Sequence, residues 1–363
     1  MPYCHNCGAK LKDDAKFCHV CGTPVSPVAG YAAPAPAPSP TPAQTRPPVR
    51  RAGFPMIAIV LIAVLVVVVA AVVVAFVPVQ QVSFSQSNEA SAARVDSLRL
   101  TVNADVANVN VVLRDLPGNQ RATVDVSATG WRGIFGNDKP LALSFNESTQ
   151  GETLVYSVAV SRAGGWPVFN PLNVNCDIAV DPSVNLSITV TTNTGAIVMD
   201  ADREATFQRL VLESTTGSVT ANLREGTLIA GDFSLQTTTG STQLLWEEAQ
   251  VSGNSSFSVR TTTGSVDVNV TQTRQLGGNV TLDAEATTGG VNLTMKIQND
   301  VAAHISANTG LGGVNVNQQG FSGNQVPTQS SNYPANANFD VTLKTSLGGI
   351  NINATYELGG TRT

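Results

Sequence analysis

Charge is scarce in this chain. Only 13% of its 363 residues are Asp, Glu, Lys or Arg, against about a quarter in ordinary globular proteins. The charge it has is uneven. Residues 78–363 carry 15 basic and 24 acidic side chains, which excludes this large part from phosphate-backbone binding, because that needs a basic face. Histidine is nearly missing, and beyond residue 19 there is His304 alone. No Ser or Cys motif surrounds it, so no catalytic triad suggests itself. Cys176 is the sole cysteine beyond the first 21 residues; it reads as a small buried residue, with pairing between chains as the alternative. Carboxylates do not gather either. The nearest groups are Asp200, Asp202 and Glu204, and the pair Glu247-Glu248, each following an apolar strand where solvated turn residues are expected. Glycan-cleaving β-helices need paired carboxylates or acidic Ca²⁺ clusters on one face. The sequence therefore reads as that of a non-enzyme, with no small-molecule substrate.

What the chain does have is one long apolar run. Residues 56–77, MIAIVLIAVLVVVVAAVVVAFV, would make a helix about 33 Å long, enough for a hydrocarbon core of about 30 Å. A single transmembrane helix is expected. Arg46, Arg50 and Arg51 lie on its N-terminal side, while Glu89 and Arg94 are the first charges on the other. The positive-inside rule then predicts a single-pass cell-membrane protein with a cytoplasmic N-terminus and an extracytoplasmic C-terminal part. The run is too long and begins too far in for a cleaved signal peptide. It contains no polar residue with which to conduct or sense, so it reads as an anchor.

Residues 1–23 hold Cys4, Cys7, Cys18 and Cys21 as two Cys-x-x-Cys-Gly knuckles. Four thiolates suit a tetrahedral structural Zn²⁺, and each Gly accepts the backbone angles of its turn. Metal would also fold the segment, since about 20 residues cannot bury a core. Two disulfides would instead require an oxidising compartment. The segment YCHNCGAKLKDDAKFCHVCG resembles the short zinc ribbons of many archaeal and bacterial proteins, a resemblance that implies these four cysteines as ligands. His5 and His19 lie inside the knuckles as spectators. Lys10, Lys12 and Lys16 are offset by Asp13 and Asp14, with Phe17 the one aromatic in reach, so protein contacts are expected of the ribbon rather than nucleic acid.

Residues 24–55 interleave ten prolines with Ala, Ser and Thr, a composition for an extended spacer rather than a core. Residues 78–94 are small and polar and read as a stalk. From residue 95 onward apolar residues alternate with polar ones, and helical periodicity is nearly absent. Residues 95–190 are expected to form early rungs or a β cap. Residues 191–356 carry a repeat whose turns are Asn193-Thr194-Gly195, Thr215-Thr216-Gly217, Thr238-Thr239-Gly240, Thr262-Thr263-Gly264, Thr287-Thr288-Gly289 and Asn308-Thr309-Gly310. A degenerate copy runs from Thr345 to Gly349. The glycines are 21 to 25 residues apart, a period that implies stacked units. One face of each strand is apolar, so neighbours must stack to bury it.

The expected fold class is mainly β: a right-handed parallel β-helix or β-solenoid ectodomain, with the single transmembrane helix and the small zinc ribbon. A β-sandwich would also supply frequent turns, but not one tripeptide at a fixed longer period. Residues 320–338 read as a surface loop, and the strands at 339–343 and 350–352 are expected to close the C-terminal end. The STTGSV, TTTGSV and ATTGGV units, ending in KTSLGGINI, resemble the bacterial and archaeal adhesin-like domain of otherwise unassigned function over about residues 95–355. That resemblance implies a β-solenoid, often membrane-attached, with no catalytic residues to carry over.

Seven Asn-x-Ser/Thr sequons, at Asn146, Asn185, Asn254, Asn269, Asn279, Asn292 and Asn353, are candidate glycosylation sites, although the composition alone supplies about as many. The functional expectation is a surface or scaffold protein that meets protein or cell-envelope partners. The alternative is a transmembrane sensor or envelope-assembly factor relaying outside binding to a cytoplasmic partner of the ribbon.

Overall fold

The computed structural model describes residues 3–4, 6–10, 16–24, 56–76, 80–132, 139–163, 172–323 and 325–358. The chain divides into two compact units, Met1–Ile62 and Ala63–Thr363. The linker expected at 24–55 lies outside the described residues except for Pro24.

The apolar run forms one helix, Met56–Phe76, as uninterrupted Ala, Leu, Ile and Val allow. Among the described residues no helix is long and apolar enough to cross a membrane. The expected single transmembrane helix is corrected on that finding. The single-pass cell-membrane location, with its cytoplasmic N-terminus and extracytoplasmic C-terminal domain, falls with it.

The rest is mainly β. Among the described residues there is an 11-stranded sheet and a 13-stranded sheet. The chain builds them in rungs, each placing one strand in either sheet and turning between them. Ala205–Thr216 and Val219–Leu223 form one such rung, and Thr227–Thr239 with Thr242–Glu247 the next. Successive rungs pair in parallel and in register: Leu212 meets Leu235 in one sheet, and Ala221 meets Leu244 in the other. Side chains alternate along each strand, so one row from each sheet enters the space between them. Those rows are mostly apolar, with Leu212, Leu235, Val259 and Leu343 at most 1% exposed. Aromatic rings pack against one another in this interior. Phe233 lies 4.8 Å from Phe257, and Trp246 meets Phe257 and Phe339 edge-on at 5.2 and 5.7 Å. The buried Trp246 indole is satisfied by donating to Gln272 Oε1 at 2.8 Å, as an apolar interior requires.

The repeated tripeptide is explained by the turn. Gly217, Gly240 and Gly264 have φ of 145°, 143° and 142°, and each stacks on the glycine of the preceding rung. A Cβ on Gly240 would stand 2.1 Å from the Gly217 carbonyl oxygen. The residue three before the glycine completes the device: Ser214 donates to Gly195 O at 2.9 Å, Thr237 to Gly217 O at 2.8 Å and Thr261 to Gly240 O at 2.9 Å. Backbone bonds continue the column, for example Gly217 N to Thr239 O at 2.9 Å.

Three local expectations change. The stretch read as a stalk is the strand Gln80–Ser91, paired antiparallel with Gln120–Arg132. As the edge of its sheet it buries little, so its side chains stay small and polar. Gly310 does not make a turn. It lies within the strand Val301–Leu311, and the residue with positive φ is Gly312, at 149°. The pairing of Leu311 with Leu347, and of Leu347 with Thr288, sets this offset. Finally, Ala337–Leu347 and Ile350–Glu357 do not close the end. They insert between the rung at 280–298 and the rung of Val301–Leu311 with Val314–Gln319, leaving the earlier rung outermost.

Candidate functional site

The N-terminal unit contains two knuckles with the same pattern of backbone bonds. In the first, Tyr3 bridges Lys10, Cys4 N donates to Ala9 O at 2.9 Å, and Gly8 N donates to Cys4 O at 2.8 Å. In the second, Phe17 bridges Pro24, Cys18 N donates to Thr23 O at 2.9 Å, and Gly22 N donates to Cys18 O at 2.9 Å. Gly8 and Gly22 have φ of 70° and 71°, the left-handed turn that only glycine takes without strain. Each knuckle sends its two sulfurs to the same side.

The four Sγ atoms all lie within 4.8 Å of one another, with Cys4 to Cys21 and Cys7 to Cys18 at 3.6 Å. Bonds of about 2.3 Å to a tetrahedral ion would set such sulfurs about 3.8 Å apart, so the cluster fits a metal. Its electrostatics point the same way. The hydroxyl and amide of Thr23 draw the Cys21 thiol down to about 6, and the amides of Cys21 and Val20 lower Cys18. The Ala9 amide favours a thiolate at Cys7, yet hydrogen bonds among the neighbouring thiols, with some burial, leave it pushed up to about 12. Four sulfurs this close cannot all ionise unaided, and a dication removes the conflict. His5 lies outside the described residues, and His19 is exposed. Sequence reasoning passed over the ribbon's apolar surface: Tyr3, Phe17 and Val20 are about two-thirds exposed, at 66%, 65% and 64%.

In the β part three of these acidic residues tie neighbouring rungs together. Asp200 accepts from Asn222 Nδ2 at 2.5 Å. Glu247 faces Arg224 at 3.6 Å. Glu248 accepts the Thr273 amide at 3.0 Å, its hydroxyl at 2.8 Å and the Arg274 amide at 3.2 Å. Asp202 and Glu204 are exposed. A cavity of about 1010 Å³ includes Arg274, Asn299, Asp300, Asn332 and Tyr356 in its wall. It brings a single carboxylate to the space, and its Arg274 is already paired with Glu225. His304 is half-buried with its ring 5.6 Å from Tyr333, and Tyr333 donates to Asp340 at 3.0 Å. Cys176 is fully buried, and burial pushes its thiol up to about 12.

The sequons scatter. Asn146, Asn254, Asn269 and Asn353 are exposed, while Asn185, Asn279 and Asn292 are half-buried. The Asn292 amide belongs to a ladder on the outer face of the 11-stranded sheet. It donates to Asp267 Oδ1 at 2.7 Å and accepts from Asn351 Nδ2 at 2.9 Å; Asn317 donates in the same way to Asn353 at 3.4 Å. The signal for this ladder was the Val-Asn-Val-Asn and Ile-Asn-Ile-Asn alternation at 314–317 and 350–353, which sequence reasoning used only as strand periodicity.

Residues 3–25 match the family model of the zinc-ribbon domain. No curated protein matches the chain. Among solved structures, the chain is similar to a candidate cell adhesion protein from Clostridium sporogenes, at 14% identity and a TM-score of 0.36, over 75% of this chain and 99% of that one. It is also similar to candidate adhesins from Bacteroides fragilis (10% identity, TM-score 0.25, 74% and 96% covered) and Parabacteroides distasonis (10%, 0.26, 74% and 97%). The chain is thus similar to a zinc ribbon at its N-terminus and to adhesin-described β proteins over most of its length.

Proposed function

We propose that this is a non-enzymatic, adhesin-like scaffold whose stacked β body presents a polar face to protein or cell-envelope material. The observation that supports this most is the outer ladder of the 11-stranded sheet. Asp267, Asn292 and Asn351 stand in register, one per rung, with their amides and carboxylate tied to one another. Rungs about 4.8 Å apart then offer a preorganised row of donors and acceptors, which lowers the ordering cost of binding. Zinc is the proposed ion of the ribbon, held structurally by Cys4, Cys7, Cys18 and Cys21. The exposed Tyr3, Phe17 and Val20 make a protein partner the better fit for this unit than nucleic acid, since aromatic and apolar anchors favour protein interfaces. Glycan attachment is proposed only at the exposed Asn146, Asn254, Asn269 and Asn353.

The test is binding of fluorescently labelled full chain to intact cells and to isolated envelope. Replacing Asn292→Arg together with Asn351→Arg should lower binding at least tenfold with the circular dichroism unchanged. Cys18→Ser with Cys21→Ser should leave envelope binding intact. Undiminished binding by the Asn292/Asn351 double variant overturns the reading.

A further inference from the structure

The outermost rung at the C-terminal end is unfinished in one sheet. Among the described residues, Val314–Gln319 is the terminal strand of the 11-stranded sheet and pairs on one side only, with Ile350–Glu357. Its inward residues are correspondingly bare. Val314 and Val316 are half-buried, whereas Ile350 and Ile352, which they register with, are 0% and 2% exposed. Leu311, at the turn into this strand, is 71% exposed. The other sheet is treated differently at the same end, because Thr328–Ser330 pairs antiparallel with Val301–Leu311 and Phe321–Ser322 pairs antiparallel with Thr328–Ser330. That cap touches the open strand through Thr328, which donates to Gln318 Oε1 at 2.7 Å.

Open edges are normally blunted by charge or proline, and this one has neither. Its sequence is Val-Asn-Val-Asn-Gln-Gln, and residues 301–339 contain no Asp, Glu, Lys or Arg. The opposite end of the stack is charged: Glu89 lies in its edge strand Gln80–Ser91, and Glu147 lies in Leu141–Gln150. An uncharged edge meets no repulsion from a copy of itself.

We propose that Val314–Gln319 joins two copies of this chain, edge to edge and antiparallel, across a twofold axis at Val316. A twofold contact closes on itself and uses the same patch twice. The register follows from the pleat. With Val316 facing its own mate, Val314 faces Gln318 of the second copy and Asn315 faces its Asn317, so inward residues oppose inward ones. A slip of one residue would set Val against Asn and place the apolar row of each copy beside the polar row of the other. The pairing satisfies the free edge and extends cover over Val314, Val316 and Leu311. It stands independently of the adhesion reading.

The experiment uses the full zinc-loaded chain. Light scattering should give twice the chain mass, and Val316→Lys should reduce it to one chain. Asn317→Lys, an exposed change that leaves the core untouched, should act in the same direction with the circular dichroism unchanged. Under mild oxidation, Val316→Cys should yield covalent dimer at least tenfold faster than Asn351→Cys, which sits on the paired neighbouring strand. A native chain of single mass, a mass unaffected by both lysine variants, or equal cross-linking at 316 and 351 overturns the proposal.

Discussion

Replacing one glycine of the turn column by alanine should cost a large share of the stability of the β part. At Gly264, φ is 142°, and an added Cβ would sit 1.9 Å from the Gly240 carbonyl oxygen and 2.6 Å from its carbon, where ordinary contact begins near 3.4 Å. Backbone strain of this kind costs about 1–3 kcal/mol. Relieving the clash moves the Gly240 carbonyl away from Thr261 Oγ1, 2.9 Å distant, and forfeits a hydrogen bond of about 1 kcal/mol. Gly264→Ala should therefore lose roughly 2–4 kcal/mol out of a domain total of about 5–15 kcal/mol. With a urea slope of about 2 kcal/mol per molar, the midpoint falls by roughly 1–2 M. The assay is urea unfolding followed by circular dichroism, with Thr262→Ala as the reference. Thr262 is exposed in the same turn and should change stability by less than about 0.5 kcal/mol. If Gly264→Ala unfolds within that same margin of the native chain, stacked glycines are not what sets the rung spacing.

Other perturbations test separate parts. Thr261→Val keeps shape but removes the donor to Gly240 O, and should cost about 1–2 kcal/mol by the same unfolding assay, with Thr261→Ser recovering most of it. Gln272→Leu strands the buried Trp246 indole N–H and should cost about 1–3 kcal/mol, seen as a lower midpoint and altered tryptophan fluorescence. Cys176 should resist thiol reagents in the native chain at pH 8 and react once unfolded. Because its thiol is raised from 9.0 to about 12, the folded state keeps a proton that the unfolded state releases in that window. Its contribution therefore falls as pH rises from about 9 to 12, and Cys176→Ala should flatten that part of the stability–pH curve. Metal analysis of the purified chain should find one zinc per chain, lost in the Cys18→Ser, Cys21→Ser double variant.

The sequence announced the ribbon most completely. The spacing of Cys4, Cys7, Cys18 and Cys21 already contains the two knuckles that the hydrogen bonds of Gly8 and Gly22 complete. It also announced the stack between Gly195 and Gly289, because the same backbone angle recurs there and glycine must recur with it. The spatial order of the last two rungs was not legible. Leu311-Gly312-Gly313-Val314-Asn315-Val316-Asn317 and Leu347-Gly348-Gly349-Ile350-Asn351-Ile352-Asn353 present the same apolar row and the same turn, so either could lie on the rung at 280–298. Which one does depends on how the intervening segment packs, where Phe321 and Val326 rest against the core. The strand Gln80–Ser91 escaped notice because an edge needs few apolar residues, and only Ala90 is fully buried there. The apolar run at residues 56–77 was read by length and composition alone, and the membrane reading built on it is the part that the described structure reverses.

The rungs stack in parallel, with the last rung of the chain inserted beneath the one before it. Oxidative cross-linking of paired cysteines measures that order directly. Asn292 registers with Asn351 on the adjacent rung, about 4.8 Å away, and Asn315 lies one rung further, about 9.6 Å from Asn292. A disulfide needs α-carbons within about 4.4–6.8 Å. The chain carrying Asn292→Cys and Asn351→Cys should close an internal bond, and the chain carrying Asn292→Cys and Asn315→Cys should not. Closure of the second pair with failure of the first would contradict the order of rungs on which the fold, the open edge and the polar ladder all depend.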